Sequence, residues 1–382
     1  MRFWPMRRRP APASPPPDDL VLTGDVLRRG LDDVLAVYDN GEKNGVFLFR
    51  GQLATTPARA LELLRERFAR VGYTPYIRAD RAGGVLLQAW PTGTVRARNR
   101  VTLNIVLFVI TALSTLLAGT QFVGSPTFDA LRRAPSWWWL LSGVPFAATL
   151  LITLGVHEFG HYFAARYYRV PVSLPYFIPV PPPFLFGTLG AVIRMRAPAG
   201  DRNALFDIAA AGPIAGLVIA VPALLLGIQW SVVAPAAPGV WMTFGDSLLT
   251  QALVALQFGP IPEGMKLYTH PVFDAAWVGL LVTALNLMPV GQLDGGRIAY
   301  ALFGRGHRAV GIATFVALLT LGAVTWSLNW VVWGLFVLLF VGFHHGPPLD
   351  DMTPLTPARR WVGFACLALL VLLVPPTPIE IG

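Results

Sequence analysis

The chain has 382 residues, of which 54% are hydrophobic and only 13% are charged, whereas soluble domains usually carry about 25% charged residues. This deficit excludes an ordinary soluble protein and predicts that lipid is the main solvent. The net charge is +9, but the positive residues lie beside apolar segments instead of forming one basic face. This distribution predicts that they orient the chain in a bilayer, and it predicts no nucleic-acid partner. Because Cys366 is the single cysteine, neither an intramolecular disulfide nor a cysteine-based metal site can form.

The first part of the chain predicts a soluble region. Residues 1–17 are basic and rich in proline, which is typical of a disordered tail. Residues 18–95 predict a small α/β domain without histidine, which we interpret as a regulatory or docking module where a partner could bind. Its predicted elements are a helix in 25–38, a strand over 46–53, a helix over 57–70 capped by Thr56, and strands over 73–77 and 85–90.

Residues 96–376 predict a membrane domain, followed by a short tail at 377–382. Most of its apolar stretches approach the ~20 residues that cross a bilayer as a helix. The seven stretches are 101–119, 137–165, 204–228, 271–291, 309–325, 327–345 and 360–376. The predicted fold class is therefore an all-α polytopic membrane protein of about seven transmembrane helices with a small N-terminal α/β domain.

Positive residues predict the orientation of these helices. With the N-terminus in the cytoplasm, thirteen arginines fall near cytoplasmic ends, against two arginines and one lysine on the other side. The thirteen are Arg96, Arg98, Arg100, Arg166, Arg169, Arg194, Arg196, Arg202, Arg297, Arg305, Arg308, Arg359 and Arg360. Because cytoplasmic loops are enriched in such residues, a cytoplasmic N-terminus and an external C-terminus are predicted.

The second predicted span contains the run HEFGH at residues 157–161. The spacing of His157 and His161 puts both imidazoles on one helical face, about 6 Å of rise apart, so both can reach one metal ion. Glu158 follows the first ligand and could accept a proton from metal-activated water, which makes it the candidate general base. The structural alternative is a histidine pair at a helix end. Ionisable groups within membrane spans are costly and usually functional, which favours the metal site.

A catalytic zinc ion usually has three protein ligands, so one more is expected. Asp294 is the candidate, within the run NLMPVGQLDGGR at 286–297. Pro289 and the glycines of this run should break a helix and let a carboxylate turn towards a cavity. Asp294 and the histidines also lie close to predicted cytoplasmic ends. The alternative is a loop carboxylate paired with Arg297.

Three other patterns are weaker. The small residues of 209–216 allow close helix packing. Residues 186–195 have strand character and predict a hairpin that dips into the membrane beside the site. His344 and His345 could form a second metal site, although an interfacial loop is the simpler interpretation, and His270 and His307 are predicted to be exposed in loops.

The order of HEFGH, Ala211-Gly212-Pro213 and NLMPVGQLDGG on successive spans resembles the site-2 protease family of intramembrane metalloproteases, over about residues 137–300. The resemblance implies a three-helix metalloprotease core, with Zn²⁺ held by His157, His161 and Asp294. It implies that Glu158 activates water and that Asn286 assists the substrate or the transition state. It also implies substrates that are single-span membrane proteins.

The sequence therefore predicts a multi-pass membrane protein that is an intramembrane zinc metalloendopeptidase. Its richness in Arg, Ala, Pro and Gly favours a bacterial plasma membrane, and an organelle membrane is the open alternative. A metal transporter that uses the same histidines is the alternative from another class, but it would favour polar residues along several spans instead of at one depth. A catalytically silent scaffold is a third interpretation, which the joint presence of the base and three ligands disfavours.

Overall fold

The computed structural model describes residues 17–80, 83–92, 100–122, 136–181, 185–236 and 242–381. The predicted tail therefore lies, apart from Pro17, outside the described residues. The chain forms two compact units. The first, named the soluble unit after its predicted environment, comprises Met1–Ala97, Pro198–Arg202 and Pro347–Pro354. The second, the helical unit, comprises Arg98–Ala197, Asn203–Gly346 and Leu355–Gly382.

The soluble unit is a four-stranded antiparallel sheet with two helices. Its elements are α1 (Pro17–Arg29), β1 (Leu35–Lys43), β2 (Val46–Leu53), α2 (Pro57–Arg70), β3 (Tyr73–Ala79) and β4 (Val85–Pro91), with strand order β1-β2-β4-β3. The small α/β region is thus confirmed. The helix predicted in 25–38 is wrong beyond Arg29, because residues from Leu35 onward pair with β2 in a ladder that starts at Leu35 opposite Leu53. That ladder is a long-range contact that helical periodicity cannot reveal.

Local chemistry fixes two of these elements. Asn44 and Gly45 form the two-residue connection between β1 and β2, and both have positive φ, 55° and 77°. Positive φ at both central positions is the type I′ turn, whose twist matches an antiparallel hairpin. At the start of α2, the hydroxyl of Thr56 accepts a hydrogen bond from the Arg59 N–H at 3.4 Å, which confirms the predicted cap.

Two short segments from later in the chain complete the soluble unit at the edge strand β3. The Ile77 N–H donates to the Leu349 carbonyl at 2.7 Å, and the Asp351 N–H donates to the Ile77 carbonyl at 3.0 Å. On its other side the Leu349 N–H donates to the Ala199 carbonyl at 2.9 Å. The Leu349 side chain is buried in the apolar core beneath the sheet. The backbone groups of Ile77 that would otherwise face water are thereby paired.

The helical unit contains nine α-helices among its described residues. They are α3 (Val101–Gly119), α4 (Val144–Tyr167), α5 (Arg202–Gln229), α6 (Leu248–Phe258), α7 (Pro271–Leu287), α8 (Asp294–Phe303), α9 (His307–Val324), α10 (Leu328–Phe336) and α11 (Pro357–Leu373). A 3₁₀ segment (Ser136–Gly143) precedes α4, and a π-helical turn (Val337–Val341) follows α10.

Where the structure describes the connections between these helices, they include three two-stranded ladders. Their strands are β5 (Tyr176–Pro179), β6 (Thr188–Val192), β7 (Val232–Pro235), β8 (Met242–Phe244), β9 (Met265–Tyr268) and β10 (Ile379–Ile381), paired β5–β6, β7–β9 and β8–β10. The predicted hairpin within 186–195 is corrected, because only Thr188–Val192 forms a strand there and its partner, β5, lies earlier in the chain. The four residues of β5 include Pro179. Because proline is disfavoured within strands, the proline-rich sequence around it did not predict this short strand.

Among the residues that the structure describes, four helices are long and apolar enough to cross a membrane. They are Val101–Gly119, Trp138–Tyr167, Arg202–Gln229 and the continuous stretch Asp294–Val324. The other three predicted spans coincide with shorter helices, α7, the stretch Leu328–Val341, and α11. Helix α6 is an apolar element that the sequence did not predict, and a capping box between Ser247 and Thr250 begins it. Seven spans therefore remain a prediction.

The burial of Leu349 yields a stability prediction. Leu349→Ala should lower the free energy of unfolding of the soluble unit by about 2–5 kcal/mol, because it leaves a cavity where a 3% exposed side chain packs. Hydrogen exchange of the Ile77 amide in the full chain measures this loss. Leu22→Ala, at a 64% exposed position, is the matched control and should change little. Equal protection of Ile77 in both variants would contradict the packing described here.

Candidate metal centre

Helix α4 presents two histidines to the interior of the helical unit. His157 and His161 are each 3% exposed, and they lie one helical turn apart on the same face. Because both side chains are buried, bulk solvent cannot hydrogen-bond to their ring nitrogens. Their ligand atoms must therefore meet partners inside the protein.

Asp294 completes a compact group of three. The Nε2 atoms of His157 and His161 lie 3.2 Å apart. The Asp294 Oδ2 atom lies 3.1 Å from Nε2 of His161 and 3.5 Å from Nε2 of His157. Zinc binds nitrogen and carboxylate oxygen at 2.0–2.2 Å in a tetrahedron, whose neighbouring ligand atoms are about 3.3 Å apart. The three observed separations fit one face of such a tetrahedron.

The hydrogen bonding of the histidines also points to a cation. The Nδ1 atom of His161 lies 2.6 Å from the Ile208 carbonyl oxygen, so this nitrogen donates and Nε2 carries a lone pair. A lone pair, a second imidazole nitrogen and a carboxylate oxygen thus converge in a buried space. A cation placed between these three atoms could be bound by all of them at once.

The turn between α7 and α8 places Asp294. Helix α7 ends at Leu287 and α8 begins at Asp294, which puts the carboxylate at a helix N-terminus, where negative charge is favoured. Gly291 has a φ of 52° within the turn, and a Cβ on Gly295 would overlap the Leu287 carbonyl oxygen. The predicted break in the helix is therefore observed. Asp294 also lies 3.7 Å from Arg297, so the alternative pairing exists alongside the histidine contacts.

Helix α5 forms one wall of the centre through its small residues. A Cβ on Gly212 would overlap the His161 ring, and one on Gly216 would lie 3.1 Å from Nδ1 of His157. The run 209–216 therefore shapes the space of the two imidazoles, beyond the close packing that its composition predicts. The small-residue pattern predicted that another helix packs closely on α5, but it could not show that the side chains in contact are the histidine ligands.

The two predicted catalytic residues are placed differently. Glu158 is buried beside the histidines, and its carboxylate interacts with the backbone of Ile193, just after β6. Asn286 lies half-buried in the last turn of α7. Its predicted role in assisting the substrate stays a prediction.

The remaining histidines do not join this centre. His344 is exposed, whereas His270 begins α7 by accepting a hydrogen bond from the Val272 N–H at 3.2 Å. The prediction that His307 is exposed is wrong, since it is 8% exposed and packs against Tyr300. Its burial depends on tertiary contacts of α8 and α9 that a loop assignment overlooked.

Comparison with known proteins places this centre within a known family. Residues 145–325, which include both histidines and Asp294, match the family model for Peptidase family M50. The chain is 33% identical over 287 residues to a protein of Oryza sativa subsp. indica named probable zinc metalloprotease EGY2, chloroplastic, covering 71% of this chain and 49% of the relative. It is 33% identical over 241 residues to probable zinc metalloprotease EGY1, chloroplastic, of Arabidopsis thaliana, covering 61% of this chain and 43% of the relative.

The chain spans about half the length of the curated relatives it matches. No solved structure matches it. The matched segment nevertheless contains the HEFGH helix, the small-residue wall and the turn that carries Asp294. On this match, and on the geometry of these three parts, the chain belongs to peptidase family M50, the site-2 protease family.

Proposed function

We propose that this protein is a zinc metalloprotease that hydrolyses peptide bonds in or near the transmembrane segments of single-span membrane proteins. The observation that carries the proposal is the triangle of His157, His161 and Asp294, whose ligand atoms lie 3.1–3.5 Å apart in a buried site. The names of the relatives, which describe probable zinc metalloproteases, support the metal and the activity.

The residues divide the chemistry between them. His157, His161 and Asp294 would hold the zinc ion, leaving one coordination position open, as catalytic zinc sites do. When bound, zinc supplies a Lewis acid that polarises a carbonyl group and makes water easier to deprotonate. Glu158, beside the first ligand on α4, would take the proton from the attacking water and pass it to the leaving amine.

Three helices would form the catalytic core. Helix α4 packs closely on α5 at Gly160, where a Cβ would lie 3.0 Å from Ala215 Cβ. It packs closely on α7 at Thr153, whose Cγ2 would lie 2.8 Å from a Cβ on Gly279. These small residues bring the two neighbours of α4 near the metal ligands, which favours a rigid site.

A transmembrane substrate must unwind before hydrolysis, because its carbonyl groups are held in helical hydrogen bonds. The unwound backbone then needs new partners in a site with little water. We propose that β6 provides them by strand addition along the edge that faces away from β5. This edge runs towards Glu158, whose carboxylate interacts with the backbone of Ile193.

The backbone contacts identify which residues face that edge. The Ser173 N–H donates to the Arg194 carbonyl at 3.0 Å, and the Arg194 N–H donates to the Ser173 hydroxyl at 2.9 Å. Arg194 thus faces the β5 side. Consecutive residues of an extended chain point their backbone groups in opposite directions, and on this alternation we propose that those of Ala191 and Ile193 face the other edge. The backbone of Ile193 already interacts with the Glu158 carboxylate, so we propose that the backbone of Ala191 contacts the substrate.

We propose a multi-pass membrane location with the N-terminus in the cytoplasm, on the distribution of positive residues. The pairing of β8 with β10 supports one part of this topology, because it joins the C-terminal strand to the loop after α5, which the charge distribution also assigns to the outside. The two named relatives are chloroplastic. The bacterial plasma membrane and a regulatory partner of the soluble unit both stay predictions.

The first test separates the base from the ligands. Glu158→Gln should retain zinc and lose cleavage of a single-span substrate by at least about 100-fold, because an amide cannot accept the proton. Asp294→Ala should lower both zinc content and cleavage, since it removes a ligand. Zinc per chain and cleavage rate are measured together on the purified protein. Full cleavage by Glu158→Gln would rule out this base, and zinc transport into vesicles without cleavage would favour the transporter.

The second test concerns strand addition. Ala191→Pro should raise KM strongly with unchanged zinc content, because proline removes the backbone donor at the substrate edge. Ala191→Val is the matched control, since it keeps the N–H and adds bulk at the same position. Cleavage kinetics of a single-span substrate measure both variants. If proline and valine have equal effects, packing explains the result and docking at Ala191 is wrong.

The third test concerns orientation. In a Cys366→Ala background, Glu263→Cys, in the loop before α7, should react with impermeant thiol reagents in intact cells. Glu66→Cys, whose parent side chain is 76% exposed on α2, should react only after the membrane is opened. Mass tagging of the thiol measures both. Labelling of the Glu66 position alone in intact cells would reverse the proposed orientation.

A further inference from the structure

Helix α3 carries its polar side chains on its buried side. Four of them are at most 8% exposed, namely Asn104, Thr111, Ser114 and Thr115. The exposed side of the helix is mostly apolar and includes Ile105 and Leu113. This is the reverse of an amphipathic helix on a soluble protein, and it suits a helix whose outer side faces lipid. Because lipid offers no hydrogen bonds, each of the four polar groups needs a partner inside the protein.

Two of the four polar groups bond within α3 itself. The Thr111 hydroxyl donates to the Leu107 carbonyl, and the Thr115 hydroxyl donates to the Thr111 carbonyl, both at 2.7 Å. Bonds of this kind, back to the preceding turn, satisfy a hydroxyl group without a neighbouring element. Thr111 and Thr115 thus share the burial of Asn104 and Ser114, but their hydroxyl groups bond to α3.

Asn104 and Ser114 instead bond to residues that flank the β5–β6 ladder. The Asn104 side-chain amide donates to the carbonyl oxygens of Leu174 and Pro175, at 3.2 and 2.7 Å, just before β5. The Ser114 hydroxyl lies 2.6 Å from the Gly187 carbonyl oxygen, just before β6, and 3.1 Å from a carbonyl oxygen of its own helix. The shorter of its two contacts is therefore the one to the ladder.

The two contacts hold opposite ends of the ladder. Asn104 and Ser114 are ten residues apart, about 15 Å along a helix. Pro175 and Val180, which flank β5, are five residues apart, about 16 Å in an extended strand. The Val180 N–H donates at 3.1 Å to the same Gly187 carbonyl that accepts from Ser114. Strand β5 therefore runs alongside α3, and helix and strand have matching lengths between the two contacts.

Helix α3 also touches the ladder through its backbone and an aromatic side chain. Gly187 has a φ of 69°, and a Cβ there would lie 2.3 Å from the Ser114 carbonyl oxygen. Between the two polar contacts, the Phe108 ring packs edge-on against the Phe177 ring, with centroids 5.1 Å apart. Polar, backbone and aromatic contacts thus fix the ladder against one helix along its length.

We infer that Asn104 and Ser114 are positioning residues, through which α3 sets the place of β6 beside the metal centre. Helix α3 precedes the segment 145–325 that matches the family model, so the match does not assign this role. The expected effect on cleavage rests on the proposed function, whereas the hold on the ladder does not.

Asn104 holds the end of the ladder that lies nearest to the proposed chemistry. Its acceptors adjoin Tyr176, which pairs with Val192 on β6. Val192 lies between Ala191, whose backbone is proposed above to contact the substrate, and Ile193, whose backbone interacts with the candidate general base. A shift of this end of β6 would therefore move the substrate edge relative to the metal.

Hydrogen exchange of the purified full-length protein tests the hold on the ladder. Asn104→Leu has a similar size but no donor, so it should speed exchange of the Ser173 amide, which bonds across the ladder, by about 5-fold or more. Ser114→Ala should speed exchange of the Val180 amide by a similar factor, because it removes the bond to the shared carbonyl. If Asn104→Leu does not fold, Ser114→Ala, which removes a single oxygen atom, decides this test.

The two threonines of α3 provide matched controls. Thr111→Val and Thr115→Val remove buried hydroxyl groups from the same side of the same helix, but those groups bond to α3 and not to the ladder. Both variants should leave the Ser173 and Val180 amides unchanged. Equal acceleration in these controls, or unchanged exchange in Asn104→Leu and Ser114→Ala, would overturn the positioning role even if the protein is a protease.

Cleavage kinetics test the link to the substrate. Asn104→Leu should raise KM for a single-span substrate by about 10-fold with unchanged zinc content, because a displaced edge binds the unwound backbone less well. In an Ala191→Pro background, which already lacks the proposed substrate contact, Asn104→Leu should raise KM no further. General destabilisation would instead add to the effect of the proline.

The two measurements separate this inference from the proposed function. Faster exchange with unchanged KM, or additive effects of Asn104→Leu and Ala191→Pro, would overturn the link between α3 and substrate binding. A wild-type protein that cleaves no single-span substrate would refute the proposed function, and exchange would still decide whether α3 positions the ladder.

Discussion

The helical unit depends on one electrostatic constraint, the convergence of three potential metal-ligand atoms in a buried site. Two imidazole nitrogens and a carboxylate oxygen lie within 3.5 Å of one another, and the nearby cation Arg297 contacts the other oxygen of that carboxylate, at 3.7 Å. With an ion, the same atoms bind it and hold distant parts of the chain together, so metal binding and folding are coupled.

The surrounding structure resists relaxation of that constraint. The Ile208 carbonyl fixes the ring of His161, and Gly212 leaves no room for a side chain beside it. On the opposite side, Asp294 is held at the start of α8 by a turn whose glycine at 295 tolerates no Cβ. Because these supports lie on helices packed through small residues, the ligand positions are set by the backbone and vary little with rotamer choice.

Much of this centre could be predicted from the sequence. The spacing of His157 and His161 follows from helical geometry alone, and the scarcity of ionisable groups within apolar segments pointed to Asp294. Periodicity could not show that β5 precedes the predicted hairpin, that β1 replaces the end of a helix, or that His307 is buried. Each of these depends on a partner distant in sequence, and local propensity carries no information about such partners.

The soluble unit illustrates the same limit and has a practical consequence. Its edge strand β3 is completed by residues 347–354, which continue directly into α11, and these pair in turn with residues 198–202, which lead into α5. A fragment that stops near residue 97 would lack Leu349 and expose the backbone groups of Ile77. Unpaired edges of this kind promote association between sheets, so the isolated fragment should self-associate unless the missing strand is supplied as a peptide. The soluble unit is thus discontinuous in the sequence, and the segments that precede α5 and α11 are also parts of its sheet.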